Sequence, residues 1–137
     1  MSELRPRGLY RDGFGTHERR IALTAGSVPV AVYGLGKMGL PLAAVYADRT
    51  GNVTGVDIDE TVVAAVERGD CPVEHEPGLP ELVAEQVSRG ALTATTGADR
   101  AAADAVLHVL IVPTPLHDDL TPDLSALEAA VDAVAEG

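Results

Sequence analysis

The fold of this chain follows from the residues Val28-Pro-Val-Ala-Val-Tyr-Gly-Leu-Gly-Lys-Met-Gly39. Residues 28–33 form a β-branched run between glycines, which predicts a buried strand. The Leu- and Ala-rich segment from Met38 to Arg49 predicts a helix that ends at Thr50-Gly51. The pattern Gly-x-Gly-x-x-Gly is a weak signal alone, but between a strand and a helix it predicts a turn that holds phosphate groups.

Each glycine of this motif has a physical task in such a turn. Gly34 permits the tight exit from the strand, Gly36 lets the backbone approach a diphosphate, and Gly39 lets the helix pack against the strand. The free N–H groups and the partial positive charge at the helix N-terminus attract phosphates. The motif therefore predicts a dinucleotide-binding site.

A carboxylate follows the second predicted strand. Asp57 comes directly after the β-branched run from Asn52 to Val56, 18 residues beyond Gly39. An acid there accepts hydrogen bonds from the adenosine ribose hydroxyls and repels a 2′-phosphate, which favours NAD over NADP. The alternative is that Asp57 is a cap or turn residue, since Asp59 and Glu60 crowd the same bend.

The segments after Asp57 continue the alternation of helix and strand. This order, with short joints, predicts an α/β fold: a Rossmann-type doubly wound parallel sheet with helices on both faces. First come a helix capped by Asp59 and stopped by Gly69, an irregular loop over residues 70–78 and a helix from Leu79 to Gly90. They are followed by a strand from Leu92 to Thr95, a short helix from Asp99 to Asp104 and a strand from Val106 to Val112 that is covered on both faces. The last helix begins at Asp123 or Ser125, and its apolar face consists of Leu124, Leu127, Val131 and Val134.

We expect one folded domain over residues 28–137, preceded by an extension over residues 1–27 that is partly helical or flexible. In the extension only His17 to Thr24 has a helical composition, with Thr16 as its cap. A doubly wound sheet normally adds another strand after the last predicted helix. We therefore expect a C-terminally truncated domain: a fragment, a split gene product or a stand-alone module.

Charge is divided unevenly between these two parts. Residues 1–27 carry five arginines against three acids, whereas residues 28–137 carry five basic residues against eighteen acids. Such an acidic surface repels nucleic acids and anionic membranes, so neither is an expected partner. Solubility explains this charge, and adaptation to high salt explains it equally well.

The chain lacks the apolar stretches of a membrane span or a secretory signal, so we expect a cytoplasmic protein.

Residues of the types that bind metals do not form a convincing site. Cys71 is the only cysteine, which excludes an internal disulfide, and the four histidines lack ligand spacing. Asp118, Asp119 and Asp123 lie in a loop without the glycine and terminal glutamate of a calcium loop, which favours solvated charge. We expect no metal site.

The stretch Pro113-Thr114-Pro115 follows the last predicted strand at its carboxyl end. Open α/β sheets bind ligands at the carboxyl ends of their strands, so the Thr114 hydroxyl is a candidate contact to a cofactor. A rigid turn made by the two prolines explains the same residues equally well.

Taken together, residues 28–137 resemble the UDP-glucose/GDP-mannose dehydrogenase family, and within it most of all the archaeal UDP-N-acetyl-D-mannosamine dehydrogenases. The matching stretches follow one another in order along the chain. They are Val32-Tyr-Gly-Leu-Gly-Lys-Met-Gly-Leu-Pro-Leu-Ala43, Gly55-Val-Asp-Ile-Asp59, Glu76-Pro-Gly-Leu79, Val112-Pro-Thr-Pro115 and Pro122-Asp-Leu-Ser125.

The resemblance implies an activity and a set of cofactor contacts. Such enzymes use NAD to oxidise the C6 alcohol of a nucleotide sugar to a carboxylate, through a thiohemiacetal on a catalytic cysteine, in polysaccharide biosynthesis. By resemblance, Lys37 and Met38 contact NAD, Asp57 binds the ribose and Thr114 contacts the cofactor. Two departures concern cofactor binding: Lys37 stands where an aromatic residue is common, and Val62 where a basic residue often lies beside the adenosine.

The resemblance also implies that the chemistry lies elsewhere. The catalytic glutamate, lysine, asparagine and cysteine of the family all match positions beyond Gly137, so no catalytic residue is expected in this chain. Cys71, in the loop after the second helix of the domain, does not match the nucleophile, and Glu76 has an expected loop or capping role. A UDP-sugar substrate would be bound by downstream domains, and a homodimer is an assembly that the resemblance allows for a full-length enzyme.

Two other functions remain open from the sequence. One is a stand-alone module that senses a dinucleotide or binds a partner, with residues 1–27 as the contact. The other is a different NAD-dependent dehydrogenase, such as a hydroxyacid type, against which the stretches Glu76 to Leu79 and Val112 to Pro115 argue.

Overall fold

The computed structural model of the protein describes residues 15–136. Six helices and four strands lie in this part of the chain. They are α1 (Thr16–Thr24), β1 (Val30–Tyr33), α2 (Gly39–Thr50), β2 (Val53–Val56), α3 (Glu60–Glu67), α4 (Leu79–Ser88), β3 (Leu92–Thr95), α5 (Ala98–Asp104), β4 (Leu107–Leu110) and α6 (Ser125–Glu136).

The four strands form one sheet in the order β3-β2-β1-β4, and every neighbouring pair is parallel. Val30 at the start of β1 is aligned with Val53 on one side and Leu107 on the other. The chain thus builds outward from β1 in one direction and then returns to add β4 on the other side. The predicted α/β Rossmann-type parallel sheet is confirmed, and its reversal point lies between β1 and β4, where such sheets bind ligands.

Two apolar clusters hold helices against the two faces of the sheet. On one face, α2, α3 and α4 cover the strands, and Leu35, Leu40, Val83 and Leu92 are nearly inaccessible to solvent. On the other face, α5 covers a smaller cluster that is built on the sheet side chains of Ala31, Tyr33 and Val56, with Ala101 and Ala102 of the helix against them. Each large apolar side chain buried in these clusters contributes about 1.5–3 kcal/mol to folding. The larger side chains make the first face the main core.

The helix that precedes the domain begins one residue earlier than its sequence indicates. α1 starts at Thr16, and extended Gly15 stands at its cap position without a side-chain hydrogen bond, so the prediction of Thr16 as the cap is wrong. Leu23 packs against the main core, and the Asn52 side chain donates to the carbonyl of Gly26 at 3.0 Å. Because Asn52 precedes β2, α1 lies near the amino-terminal ends of the strands, away from the glycine turn. The rest of the predicted extension lies outside the described residues.

The last strand is shorter and more exposed than predicted. The prediction covered residues 106–112 and both faces, but β4 spans Leu107–Leu110 and none of its residues is buried. The physical reason is position: β4 pairs with β1 alone and forms an edge of the described sheet. An apolar sequence reveals that a strand is suited to burial, but not whether a neighbour covers it.

The apolar face predicted for the last helix is also partly wrong. Ala130 and Ala133 are the buried residues of α6, whereas Leu124, just before the helix, is 41% exposed and Val131 is 47% exposed. α6 packs mainly against α5 and only lightly against β4. A narrow contact of this kind buries the small residues on one side, covers Leu127 and Val134 in part and leaves Val131 exposed. None of the helices in residues 15–136 has the length and apolar character needed to cross a bilayer.

Candidate functional site

The turn between β1 and α2 is formed by residues 34–38 at the carboxyl end of β1. Gly34 has a φ of +103°, and a Cβ there would overlap the carbonyl oxygen of Ile111. A Cβ on Gly39 would overlap the carbonyl oxygen of Gly34. Both glycines are therefore required by the packing of the protein's own backbone.

Gly36, the middle glycine of the turn, differs from the other two. Apart from its chain neighbours, no atom of the described protein lies within 4 Å of the position that a Cβ would take. The fold itself therefore does not demand glycine at this position. A flat stretch of backbone that faces open space at the start of a helix fits the close approach of a diphosphate.

The carboxylate of Asp57 ties this turn to the end of β2. Its Oδ2 accepts a hydrogen bond from the N–H of Leu35 at 2.9 Å, and its Oδ1 accepts one from the N–H of Asp59 at 2.9 Å. Asp57 therefore does stabilise the turn, which is the alternative role that its sequence position allowed. Each carboxylate oxygen can accept more than one hydrogen bond, so the same side chain keeps acceptor capacity for ribose hydroxyls.

Beneath the turn, the packing of Leu35 on Gly55 escaped the sequence interpretation. The Leu35 side chain is 1% exposed, and a Cβ on Gly55 would lie 2.7 Å from its Cδ2 atom. Gly55 in the middle of β2 thus makes room for the side chain that anchors the turn from below. A glycine inside a β-branched run was the available signal, since such a glycine marks close packing.

A cleft of about 540 Å³ lies beside the turn. It is lined by Leu35, Gly36 and Lys37 of the turn, by Val62 of α3 and by the loop residues 72–76. A hydrogen bond stabilises the start of this loop: the Cys71 thiol donates to the carbonyl of Val73 at 3.2 Å. Cys71 therefore has a structural contact in a loop, as its sequence position suggested.

Comparisons with known proteins agree with this geometry. Residues 28–137 match the NAD binding domain of the UDP-glucose/GDP-mannose dehydrogenase family. The chain belongs to this family. The cofactor of the domain is NAD, and the sequence resemblance described above is confirmed.

Curated relatives within the family carry the names of nucleotide-sugar dehydrogenases. The NDP-N-acetyl-D-galactosaminuronic acid dehydrogenase of Ralstonia nicotianae is 45% identical over 77% of this chain and 24% of its own length. The UDP-N-acetyl-D-mannosamine dehydrogenase of Salmonella typhi is 39% identical over the same shares. The chain thus spans about a quarter of the length of the curated relatives it matches.

Among solved structures, the UDP-D-ManNAc dehydrogenase of Pyrococcus horikoshii superposes with a TM-score of 0.73 at 35% identity. The match covers 79% of this chain and 25% of the Pyrococcus horikoshii chain. The predicted resemblance to archaeal dehydrogenases named for UDP-N-acetylmannosamine is confirmed, and bacterial dehydrogenases of that name are similar as well.

The remaining predicted cofactor residues lie around the turn in different ways. Lys37 lines the cleft, whereas Met38 is 67% exposed at the position before α2 and is not among the lining residues. Thr114 is exposed and follows β4, on the side of β1 away from β2. The segment that leads to it starts close to the turn, because the N–H of Ile111 donates to the carbonyl of Tyr33 at 2.8 Å.

A hydrogen-bonded pair links β1 to β4 directly before the turn. The Tyr33 hydroxyl lies 2.9 Å from Nδ1 of His108, and the two rings stack with centroids 5.9 Å apart. Burial raises the pKa of Tyr33 and lowers the pKa of His108. Both groups are therefore neutral near pH 7, and the tautomer of the imidazole sets which of the two donates. This partner was not predicted from the sequence, where His108 was considered only as a metal ligand.

The acidic loop before α6 is organised by its own hydrogen bonds. Asp119 accepts from the N–H and hydroxyl of Thr121, and Asp123 accepts from those of Ser125, the first residue of α6. These hydrogen bonds lower the pKa of both carboxyls. Within residues 15–136, the side chains that bind metals do not gather in groups of three or more.

Proposed function

We propose that this chain supplies the NAD-binding part of an enzyme that oxidises the C6 alcohol of a nucleotide sugar to a carboxylate. The observation that carries the proposal is the juxtaposition of Gly36, whose missing side chain leaves space free, with the Asp57 carboxylate that is fixed to the same turn. One provides bare backbone for a diphosphate, and the other provides acceptors for a ribose.

In this proposal each residue has a defined part in binding. Gly34 and Gly39 fix the shape of the turn, Gly36 admits the diphosphate, and the N-terminus of α2 directs its N–H groups toward it. Lys37 adds a positive charge on the cleft side, and Met38 covers the start of the helix. Asp57 accepts from the ribose hydroxyls. When bound, NAD supplies the hydride acceptor of the reaction.

Thr114 is proposed to approach the cofactor from the β4 side. Its hydroxyl would orient the part of the dinucleotide that extends past β1 toward the reversal point of the sheet. Its exposure leaves the hydroxyl available to a ligand.

The proposed substrate is a UDP-sugar of the N-acetylmannosamine or glucose type, by analogy with the names of the relatives. Residues 1–137 supply no catalytic group in this proposal, and the sugar and the reacting cysteine would be held by residues outside this stretch. The proposed location is the cytoplasm.

The test is a titration of NADH and NADPH into the wild-type chain and into Asp57→Ala. We expect the wild type to prefer NADH by about tenfold or more, because the carboxylate repels the 2′-phosphate. Asp57→Ala should lose most of this preference. Equal affinity of the wild type for the two cofactors would contradict the assignment of Asp57. Steady turnover of a UDP-sugar by the purified chain alone would contradict the proposal that catalysis needs residues outside it.

A further inference from the structure

The loop between α3 and α4 and the glycine turn line the same cleft. Gly36 and Lys37 come from the turn, and Glu74, His75 and Glu76 come from the loop. The part of the cleft that the turn builds is therefore cationic with bare amides, and the part that the loop builds carries two carboxylates. This division of charge restricts which part of a dinucleotide each side can accept.

Carboxylates repel a diphosphate, so the diphosphate belongs on the Gly36 side and another part of the ligand must face the loop. An ionised carboxylate only accepts hydrogen bonds, so that part must donate them. The adenosine half of NAD has two kinds of donors, the ribose hydroxyls and the 6-amino group of the base. Since the ribose lies with Asp57 in the proposed function, the amino group is the donor that remains.

Of the two carboxylates, Glu76 is the better placed acceptor. The Glu74 side chain is 85% exposed and lies 3.8 Å from the His75 imidazole. Glu76 is half-buried, so water competes less with its hydrogen bonds. Val62 and Val73, which also line the cleft and are half-buried, offer apolar surface for the faces of a purine ring.

The backbone around Glu76 is held in a defined conformation. The N–H of Leu79 donates to the Glu76 carbonyl at 3.2 Å, and the Cys71–Val73 hydrogen bond fixes the other end of the loop. His75 between them has a φ of +63°, which is uncommon for a residue other than glycine. Strained backbone of this kind concentrates at ligand-binding segments.

Resting on the proposed function, we propose that Glu76 selects the adenine base of the cofactor. Its carboxylate accepts a hydrogen bond from the 6-amino group, while Val62 and Val73 cover the ring. A base that carries a carbonyl in place of the amino group would present an acceptor at that position, with its nearest donor moved to the ring N1–H, and would bind more weakly.

The test compares NADH with reduced nicotinamide hypoxanthine dinucleotide, whose base has that carbonyl. Both are titrated into the full chain, with nicotinamide fluorescence as the signal. We expect the wild type to prefer NADH by about tenfold, since an unpaired polar group at a ligand costs about that factor. Glu76→Gln should bring the two affinities within about twofold, because an amide can either accept or donate.

Glu81→Gln is the matched control, since Glu81 is exposed in the first turn of α4 and does not line the cleft. It should keep the wild-type preference. Glu76→Asp, with its carboxylate drawn back from the cleft, should weaken NADH binding and reduce the preference, which provides a second variant. Unfolding midpoints equal to that of the wild type show that both variants are folded.

Two results would overturn this inference: a wild type that binds both dinucleotides equally, or a Glu76→Gln variant with the wild-type preference. If the wild type discriminates NADH from NADPH but not from the hypoxanthine analogue, the inference fails and the proposed function stands. If the wild type binds none of the three, both fail.

Discussion

At the scale of single residues, three glycines in one motif are needed for different reasons. Gly34 and Gly39 are required by backbone contacts within the protein, whereas Gly36 faces open space. Stability and ligand binding therefore depend on different members of one motif, and substitutions can separate the two.

We predict that Gly36→Ala leaves the unfolding midpoint close to that of the wild type but weakens NADH binding by about tenfold or more, the equivalent of losing one charge-assisted hydrogen bond to phosphate. Gly34→Ala should instead destabilise the fold by about 2 kcal/mol or more, because of its positive φ and the overlap with Ile111. Thermal denaturation with parallel NADH titration measures both. Loss of stability in Gly36→Ala without loss of affinity would contradict this separation.

The contact between Leu35 and Gly55 makes a second prediction. Gly55→Ala places a methyl group against the Leu35 side chain and should cost about 1–3 kcal/mol of unfolding free energy. The double variant with Leu35→Ala should lose less than the sum of the two single variants, because the smaller side chain relieves the overlap. Urea denaturation of the four proteins gives the coupling. Additive effects would show that the two residues do not interact.

At the scale of elements, the pairing of β1 with β4 includes a titratable side-chain contact, that of Tyr33 with His108. The pKa of His108 is lowered by burial, so the folded state binds fewer protons than the unfolded state just below the ordinary histidine value of 6.5. The contribution of neutral His108 to stability is therefore fully present above that value, and it is lost as the pH falls from about 6.5 through the lowered pKa. The Asp119 and Asp123 carboxyls, whose pKa values are also lowered, add their loss only below their ordinary value of 3.8.

We predict that the unfolding midpoint of the wild type decreases between pH 7 and pH 5, and that His108→Gln removes most of this decrease. Glutamine keeps an acceptor for the Tyr33 hydroxyl but does not titrate, so the comparison isolates the protonation. His75→Gln is the control, because its side chain is 94% exposed and should leave the pH dependence unchanged. An equally steep decrease in His108→Gln would rule out His108 as the source.

At the scale of the whole molecule, the net charge of −11 dominates the electrostatics of the surface. Eighteen of the acids lie in residues 28–137, against five basic residues. Within residues 15–136 these charges form exposed ion pairs with basic groups, such as Arg68 with Asp70, which add little stability. Mutual repulsion on the surface therefore remains largely uncompensated at low salt.

We predict that raising the NaCl concentration from about 0.1 M to about 1 M increases the unfolding midpoint, because the screening length falls from about 10 Å to about 3 Å. Glucose at matched osmolality controls for exclusion effects that do not involve charge. A midpoint that stays constant or decreases in salt would show that surface repulsion does not limit stability, and would favour solubility over salt adaptation as the meaning of the acidic composition.

Across these scales, most of the helices and strands, and the glycine turn between β1 and α2, could be predicted from the sequence. The glycine motif, the cap at Asp59 and the strand from Leu92 to Thr95 were predictable, because turn geometry, capping and short periodic patterns depend on residues that are neighbours in the chain. The motif and Asp57 also indicated a dinucleotide, since the spacing of a strand, a turn and a helix is local.

The tertiary structure alone decided which surfaces are covered and which distant residues meet. It placed β4 at an edge of the described sheet, exposed Val131, and brought the 72–76 loop and Gly36 to the same cleft. It also paired Tyr33 with His108, 75 positions away. These features depend on strand order and helix packing, and no local pattern carries that information, because apolar residues look alike in sequence whether a neighbour covers them or not.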